Sequence, residues 1–162
     1  MAAPVQRDQK PWDRIWLSLF VLAFCAWMAF MGWDAARTGF AAVPAWLQAL
    51  GGLAIVLYML GAWWTFRENA FAAPVVKIQE GQQVIDTGPY AIVRHPMYAS
   101  ALLLLIGIPL LLGSWLGLAF SALFILGVGW RAVHEEDALR AELSGYEEYT
   151  TRVRYRFVPF VW

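Results

Sequence analysis

Between Ala99 and Trp130 the chain runs for 32 residues without a charged side chain. A helix needs about 20 apolar residues to cross a hydrocarbon core of ~30 Å, so this block is too long for one span and long enough for two. Ile108-Pro109 and Gly113-Ser114 lie near its middle, where a helix would kink or turn. The block therefore reads as a tight helical hairpin over 97–133, roughly Met97–Leu112 and Trp115–Val133. Two further charge-free runs precede it, Ile15–Trp33 and Trp46–Trp64, each of 19 residues. The second has a Trp at each end, where interfacial aromatic belts belong. A soluble domain of 162 residues that is 60% hydrophobic and only 15% charged could not cover its own surface. The expected fold is all-α and integral to a membrane, with four transmembrane helices, a cytoplasmic loop and a C-terminal interfacial helix and tail.

Lysines and arginines orient this arrangement. Arg7, Lys10 and Arg14 precede the first span, and Arg37 alone lies between spans one and two. Arg67, Lys77 and Arg94 lie between spans two and three, and Arg131, Arg140, Arg152, Arg154 and Arg156 follow span four. With both termini cytoplasmic, every one of these except Arg37 falls inside, as the positive-inside rule asks. The chain is then one membrane domain: tail 1–14, spans 15–33 and 46–64, cytoplasmic loop 65–96, hairpin 97–133, and cytoplasmic helix and tail 134–162. Span two is expected to run on through Phe66–Val76 and break at Pro74, and Lys77–Thr87 to be an extended loop or a short strand pair. The first apolar run is span-length and lacks a small-residue cleavage site, so it reads as a helix and not as a cleaved signal. The single cysteine, Cys25, sits mid-span and offers no disulfide or thiolate metal site; packing is its expected role. No metal site and no nucleic-acid partner is expected.

Both polar segments fall on the cytoplasmic side, where they can meet. One is Gly88-Pro89-Tyr90-Ala91-Ile92-Val93-Arg94-His95-Pro96-Met97-Tyr98, a proline-punctuated turn with one Arg, one His and two Tyr at the mouth of the hairpin. Ionisable groups there must find partners or water, so the turn is either a set of interfacial anchors or a functional site. The other is the helix leaving span four, which should end near Ser144-Gly145. Arg131 and Glu135 lie at i and i+4 where it emerges; Glu136 and Arg140 form a second such pair about a hundred degrees round. The second pair reads as an ordinary solvated helix face. The first, nearer the hydrocarbon, is equally compatible with function, and His134 reads as interfacial. Tyr146–Tyr149 reads as a short interfacial turn.

Gly-Pro-Tyr, Arg-His-Pro-x-Tyr, a hydrophobic hairpin, Arg-x-x-x-Glu-Glu-x-x-Leu, Gly-Tyr-x-x-Tyr and Arg-Phe-Val-Pro follow one another across Gln82–Pro159. In that order they resemble the isoprenylcysteine carboxyl methyltransferase family, in particular its compact bacterial members. The resemblance implies a multi-pass membrane transferase, of a bacterial inner membrane, that takes S-adenosylmethionine as methyl donor and releases S-adenosylhomocysteine. It places the cofactor on Gln83, Val84, Ile85, Tyr90, His95, Pro96, Met97, Tyr98 and Glu135. It gives Arg131 the catalytic task of handling the acceptor, a lipophilic molecule arriving from among the membrane lipids. Tyr90 and Tyr98 would offer ring faces to the adenine and the sulfonium, Glu135 would accept from the ribose hydroxyls or the amino group, and Arg94 and Arg156 would tie loop and tail to the core. Ser100 departs from the pattern, because many members have glycine two residues after the Tyr, and close helix packing is in question there.

Methyl transfer to a carboxylate needs no general base, which favours an acceptor that is already nucleophilic. Prenylated cysteine carboxylates fit, as would another small membrane-soluble substrate. Two other readings remain. Membrane sterol reductases resemble the same C-terminal core but bind NADPH, whose phosphates call for more Arg and Lys than this loop carries. A non-catalytic membrane subunit would use the aromatic turn for anchoring alone.

Overall fold

The computed structural model describes residues 10–38, 43–73, 75–76 and 79–162. The chain forms α1 (Pro11–Thr38), α2 (Ala45–Glu68), a single 3-10 turn (Gly88–Ala91), α3 (Pro96–Leu112), α4 (Trp115–Glu142) and the short α5 (Tyr146–Arg152). Helices α1, α2 and α4 are long and apolar enough to cross a membrane, while α3 is a shorter apolar helix of 17 residues. Leu19, Leu22, Met59, Leu60, Leu123 and Leu126 all point outward with more than half of their surface exposed, as a lipid-facing exterior requires.

The hairpin turns at Gly113-Ser114, and Pro109 is carried inside α3. Gly113 takes the left-handed conformation (φ 75°) that glycine adopts without a Cβ penalty. Its N–H and that of Ser114 bond the carbonyls of Leu110 and Pro109 at 3.1 and 2.9 Å. The Ser114 hydroxyl then caps α4 by accepting from Gly117 N at 2.9 Å, and donates to Asp34 of α1 at 2.6 Å.

Helices α2 and α3 touch backbone to backbone. A Cβ on Gly51 would lie 2.6 Å from Leu111 N and 2.7 Å from Gly107 O, so neither glycine admits a side chain. Small residues at a crossing are how helices associate in lipid, where no hydrophobic force drives them together. Further along the same seam Gly61 faces the Ser100 hydroxyl, which bonds Pro96 O at 2.9 Å. The close approach that Ser100 put in question is kept because the glycine sits on the opposite helix.

Helix α1 docks on α4 through Trp27, whose indole N–H bonds Gly117 O at 3.0 Å, and through a ladder of Phe20, Phe24, Phe30, Phe120 and Phe124. The buried core joins these layers at Trp27, Met31, Tyr98, Leu105, Val128, Ala132 and Phe157.

Three expectations are corrected. Helix α2 stops at Glu68, because Asn69 leaves helical geometry and its side chain accepts from Phe71 N at 2.9 Å, an alternative to the helix ladder; Pro74 and Lys77 lie outside the described residues. Of the two alternatives for 77–87, the described residues of 79–87 take the loop, with no strand among them. Tyr146 opens a helix of seven residues in place of a short turn. Cys25 is exposed on the outer face of α1 and takes no part in packing.

Candidate active site

Two backbone bonds set the site. Arg94 N and His95 N donate to the carbonyls of Tyr155 and Arg156 at 2.9 and 3.0 Å, so the C-terminal tail returns to clamp the turn that opens α3. The start of that turn is held from α2: Glu68 packs against Gly88 (φ 55°) and accepts from the Thr87 hydroxyl, and Asn69 Nδ2 donates to the Tyr90 hydroxyl at 2.9 Å. Behind the clamp stands Glu136, 1% exposed. It accepts from Arg94 Nε at 2.8 Å and pairs with His95 Nε2 and Arg156 Nη2, both at 3.1 Å. The sequence suggested a solvated pair with Arg140; that guanidinium lies 3.9 Å away and is the most exposed partner. Tail and turn fold over this face of α4 and remove it from water, which local spacing could not reveal.

In front of the clamp lies a cavity between 69–73, 75–76, 82–85, the turn, α4 and α5. Gln83, Val84, Ile85, Tyr90, His95, Pro96, Met97, Tyr98 and Glu135 all line it, so nine residues spread over some fifty positions converge on one space. Leu139, Leu143, Tyr146 and Tyr149 complete its wall. The Tyr149 hydroxyl donates to the Tyr90 carbonyl at 2.8 Å, fixing the 3-10 turn. Burial pushes the phenols of Tyr90, Tyr146 and Tyr149 above their ordinary range, so all three remain neutral at physiological pH.

Arg131 is one layer away from the cavity. Its Nε donates to Asp13 Oδ1 and its Nη1 to the Tyr98 hydroxyl, both at 2.8 Å; that hydroxyl donates in turn to Glu135 Oε2 at 2.6 Å. Arg131 and Glu135, expected to face each other at i and i+4, are thus bridged by Tyr98. The Tyr98 ring is stacked with His95 (5.3 Å, 13°) and lies under the Arg131 guanidinium at 5.6 Å, so it meets the cavity alongside protein partners of its own. Asp13, assigned from sequence to a polar tail, is fully buried in the first turn of α1 and also accepts from Val76 N at 2.8 Å.

Sequence reasoning missed Asp13, Asn69, Arg94 as a lining residue, Tyr146 and Tyr149. The Gly-Tyr-x-x-Tyr motif was the visible signal for the last two, and Glu135, Leu139 and Leu143 at helical spacing mark the cavity face of α4. Asp13 carried no signal, because its partner lies 118 positions away.

A second recess opens sideways between α1 and α4, about 580 Å³ in volume and lined by Trp16, Phe20, Trp27, Phe30, Phe120 and Phe124 among others. The Arg131 guanidinium sits 5.0 Å over the Trp16 ring at its end.

Comparison with known proteins gives these features a setting. The Delta(14)-sterol reductase of Mus musculus is 30% identical over 109 residues, which is 60% of this chain but only 25% of that much longer protein. A family model described as phospholipid methyltransferase matches residues 46–144, from α2 to the end of α4 and including the clamped turn. Matched over more than half its length and built on three long apolar helices, this integral membrane protein belongs to the phospholipid methyltransferase family.

Proposed function

We propose that the protein transfers a methyl group from S-adenosylmethionine to a lipophilic acceptor at the cytoplasmic face of the membrane, its four helices α1–α4 spanning and both termini inside. The observation that carries this is the convergence of all nine motif residues on one cavity beside the clamped turn. Its donor set suits the cofactor: a carboxylate (Glu135), neutral phenol donors (Tyr90, Tyr146), an aliphatic wall (Val84, Ile85, Leu139, Leu143) and a guanidinium (Arg94) match a polyol, an adenine plane and an amino-acid end.

Bound there, S-adenosylmethionine supplies an activated methyl group on a sulfonium. The protein's task is then to align the acceptor and exclude water. Glu135 holds its ligand through the carboxylate oxygen that Tyr98 leaves unspent. Arg131 stands where the two recesses approach: it overlies Trp16, which lines the apolar recess, and it bonds Tyr98, which lines the cavity. An acceptor whose apolar part fills the α1–α4 recess brings its reacting head toward Arg131. A carboxylate of the isoprenylcysteine kind suits that position, since a guanidinium orients carboxylates and no base is required.

The sterol reductase likeness favours a second reading, NADPH-dependent reduction. Among the described residues Arg94 is the one Lys or Arg lining the cavity, a poor match to a ligand with three phosphates. Calorimetric titration of the detergent-solubilised protein with S-adenosylhomocysteine and with NADPH decides between them. Binding of NADPH without S-adenosylhomocysteine would overturn the proposal, and binding of neither would favour a non-catalytic subunit. Incorporation of labelled methyl groups into membrane extracts would then identify the acceptor.

A further inference from the structure

The apolar recess and the cavity are walled by different segments, and one buried side chain is bonded to the framework of both. Asp13, in the first turn of α1, is fully buried and divides its two carboxylate oxygens. Oδ1 accepts from Arg131 Nε and Oδ2 from Val76 N, both at 2.8 Å. Val76 is 4% exposed and lines the cavity, and Lys10 N donates to its carbonyl at 3.3 Å, so the start of α1 grips it at both backbone groups. Arg131 lies between the Trp16 ring, 5.0 Å away in the wall of the apolar recess, and the Tyr98 ring at 5.6 Å.

This arrangement is stricter than neutralising a charge requires. A buried guanidinium needs a counter-charge, and any carboxylate within reach supplies one. Here the second oxygen is committed to a backbone amide of another segment, so one rigid planar group fixes Arg131 relative to the cavity wall. Methyl transfer gives a reason for the strictness. Donor and acceptor must meet in a near-attack geometry, where a misplacement of ~1 Å can cost about 100-fold in rate. Asp13 also lies outside residues 46–144, the segment that the family model matches, so it is a contribution of α1 to that core.

We propose that Asp13 is a positioning residue for methyl transfer, whose carboxylate registers the acceptor-side guanidinium of Arg131 with the cofactor-side wall at Val76. The inference rests on reading the two recesses as donor and acceptor sites, and it gives α1 a part in the chemistry beyond crossing the membrane.

The test makes the same one-methylene extension at two buried carboxylates of α1 in the full-length detergent-solubilised protein. Asp13→Glu keeps the charge beside Arg131 but carries the oxygens about 1.5 Å further out, so it cannot serve both partners in place. Asp34→Glu alters the carboxylate that accepts from Ser114 at 2.6 Å, about 30 Å away along the same helix. Transfer of labelled methyl groups from S-adenosylmethionine into membrane extract is measured per molecule that binds S-adenosylhomocysteine. Asp13→Glu should lower turnover at saturating donor and extract by about tenfold or more, with S-adenosylhomocysteine affinity within about threefold of wild type. Asp34→Glu should leave turnover within about twofold, even where both variants melt earlier. Asp13→Asn keeps the shape but offers one oxygen to two donors; it should lose turnover in the same way, and it serves if the longer side chain prevents folding. Wild-type turnover in the Asp13→Glu protein would overturn the positioning role, because a counter-charge alone would then suffice. Equal losses in Asp13→Glu and Asp34→Glu, or a loss of cofactor affinity in step with turnover, would overturn it as well; all three results leave the transferase reading standing. A wild-type protein that transfers no label overturns that reading, and the positioning role falls with it.

Discussion

Glu135 and Glu136 are neighbours on α4, yet they belong to opposite kinds of region. Glu136 faces the clamp and is surrounded by Arg94, His95 and Arg156. Glu135 faces the cavity and takes one bond, from Tyr98. One step along a helix turns a side chain by about a hundred degrees, and here that rotation separates a group enclosed by the protein from one that retains capacity for a ligand. Charge density alone does not mark a binding site; a place in the cavity wall does, and only Glu135 has one.

The largest effect should come from the enclosed side. Glu136→Ala takes the shared carboxylate away from the buried Arg94 and the half-buried Arg156 and should destabilise the fold by about 3–5 kcal/mol, seen as loss of a monodisperse folded species in detergent. A Glu136→Ala protein that melts like wild type would remove the distinction between the two regions. On the open side, Glu135→Ala should weaken S-adenosylhomocysteine binding by about 1.5–3 kcal/mol with little change in melting temperature.

Arg131 tests the border between the regions. Arg131→Lys keeps the charge and loses the fork that reaches Asp13 and Tyr98 together, so methyl transfer should fall tenfold or more, on the scale of ~1.4 kcal/mol per decade. Cofactor affinity staying near wild type would place Arg131 at the acceptor; a parallel loss would make it a support of Tyr98 and Glu135. The smallest effect belongs to Tyr149→Phe, one neutral hydrogen bond worth about 0.5–1.5 kcal/mol, read as a lowered melting temperature.

The hairpin was legible in the sequence for a local reason, and the cavity residues through the family resemblance that the motifs carry. A 32-residue charge-free block interrupted at Gly113-Ser114 specifies its own turn, and the Pro-Tyr and His-Pro-x-Tyr elements sit within a few residues of one another. The clamp was not, because Glu136 finds Arg94 at a separation of 42 residues, and Arg156 reaches it only after the tail has folded back. Helical spacing described Glu136 as Arg140's partner, which it is at the margin, and had no access to the fold that buried it. Asp13 was hidden more completely: its position looks like a polar leader until α1 docks and Arg131 meets it.

The length of α3 has a consequence for the host membrane. Its 17 residues rise about 26 Å, short of a ~30 Å hydrocarbon core. On the four-span reading its neighbours are long enough to tilt, but α3 is welded to α2 at Gly51 and Gly107 and cannot lengthen. On that reading the bilayer would thin beside it, or flanking side chains would reach out to the interface, at a cost of fractions of a kcal/mol per Å. Lipid chain length would then bear on the turn at His95–Tyr98, which opens that short helix.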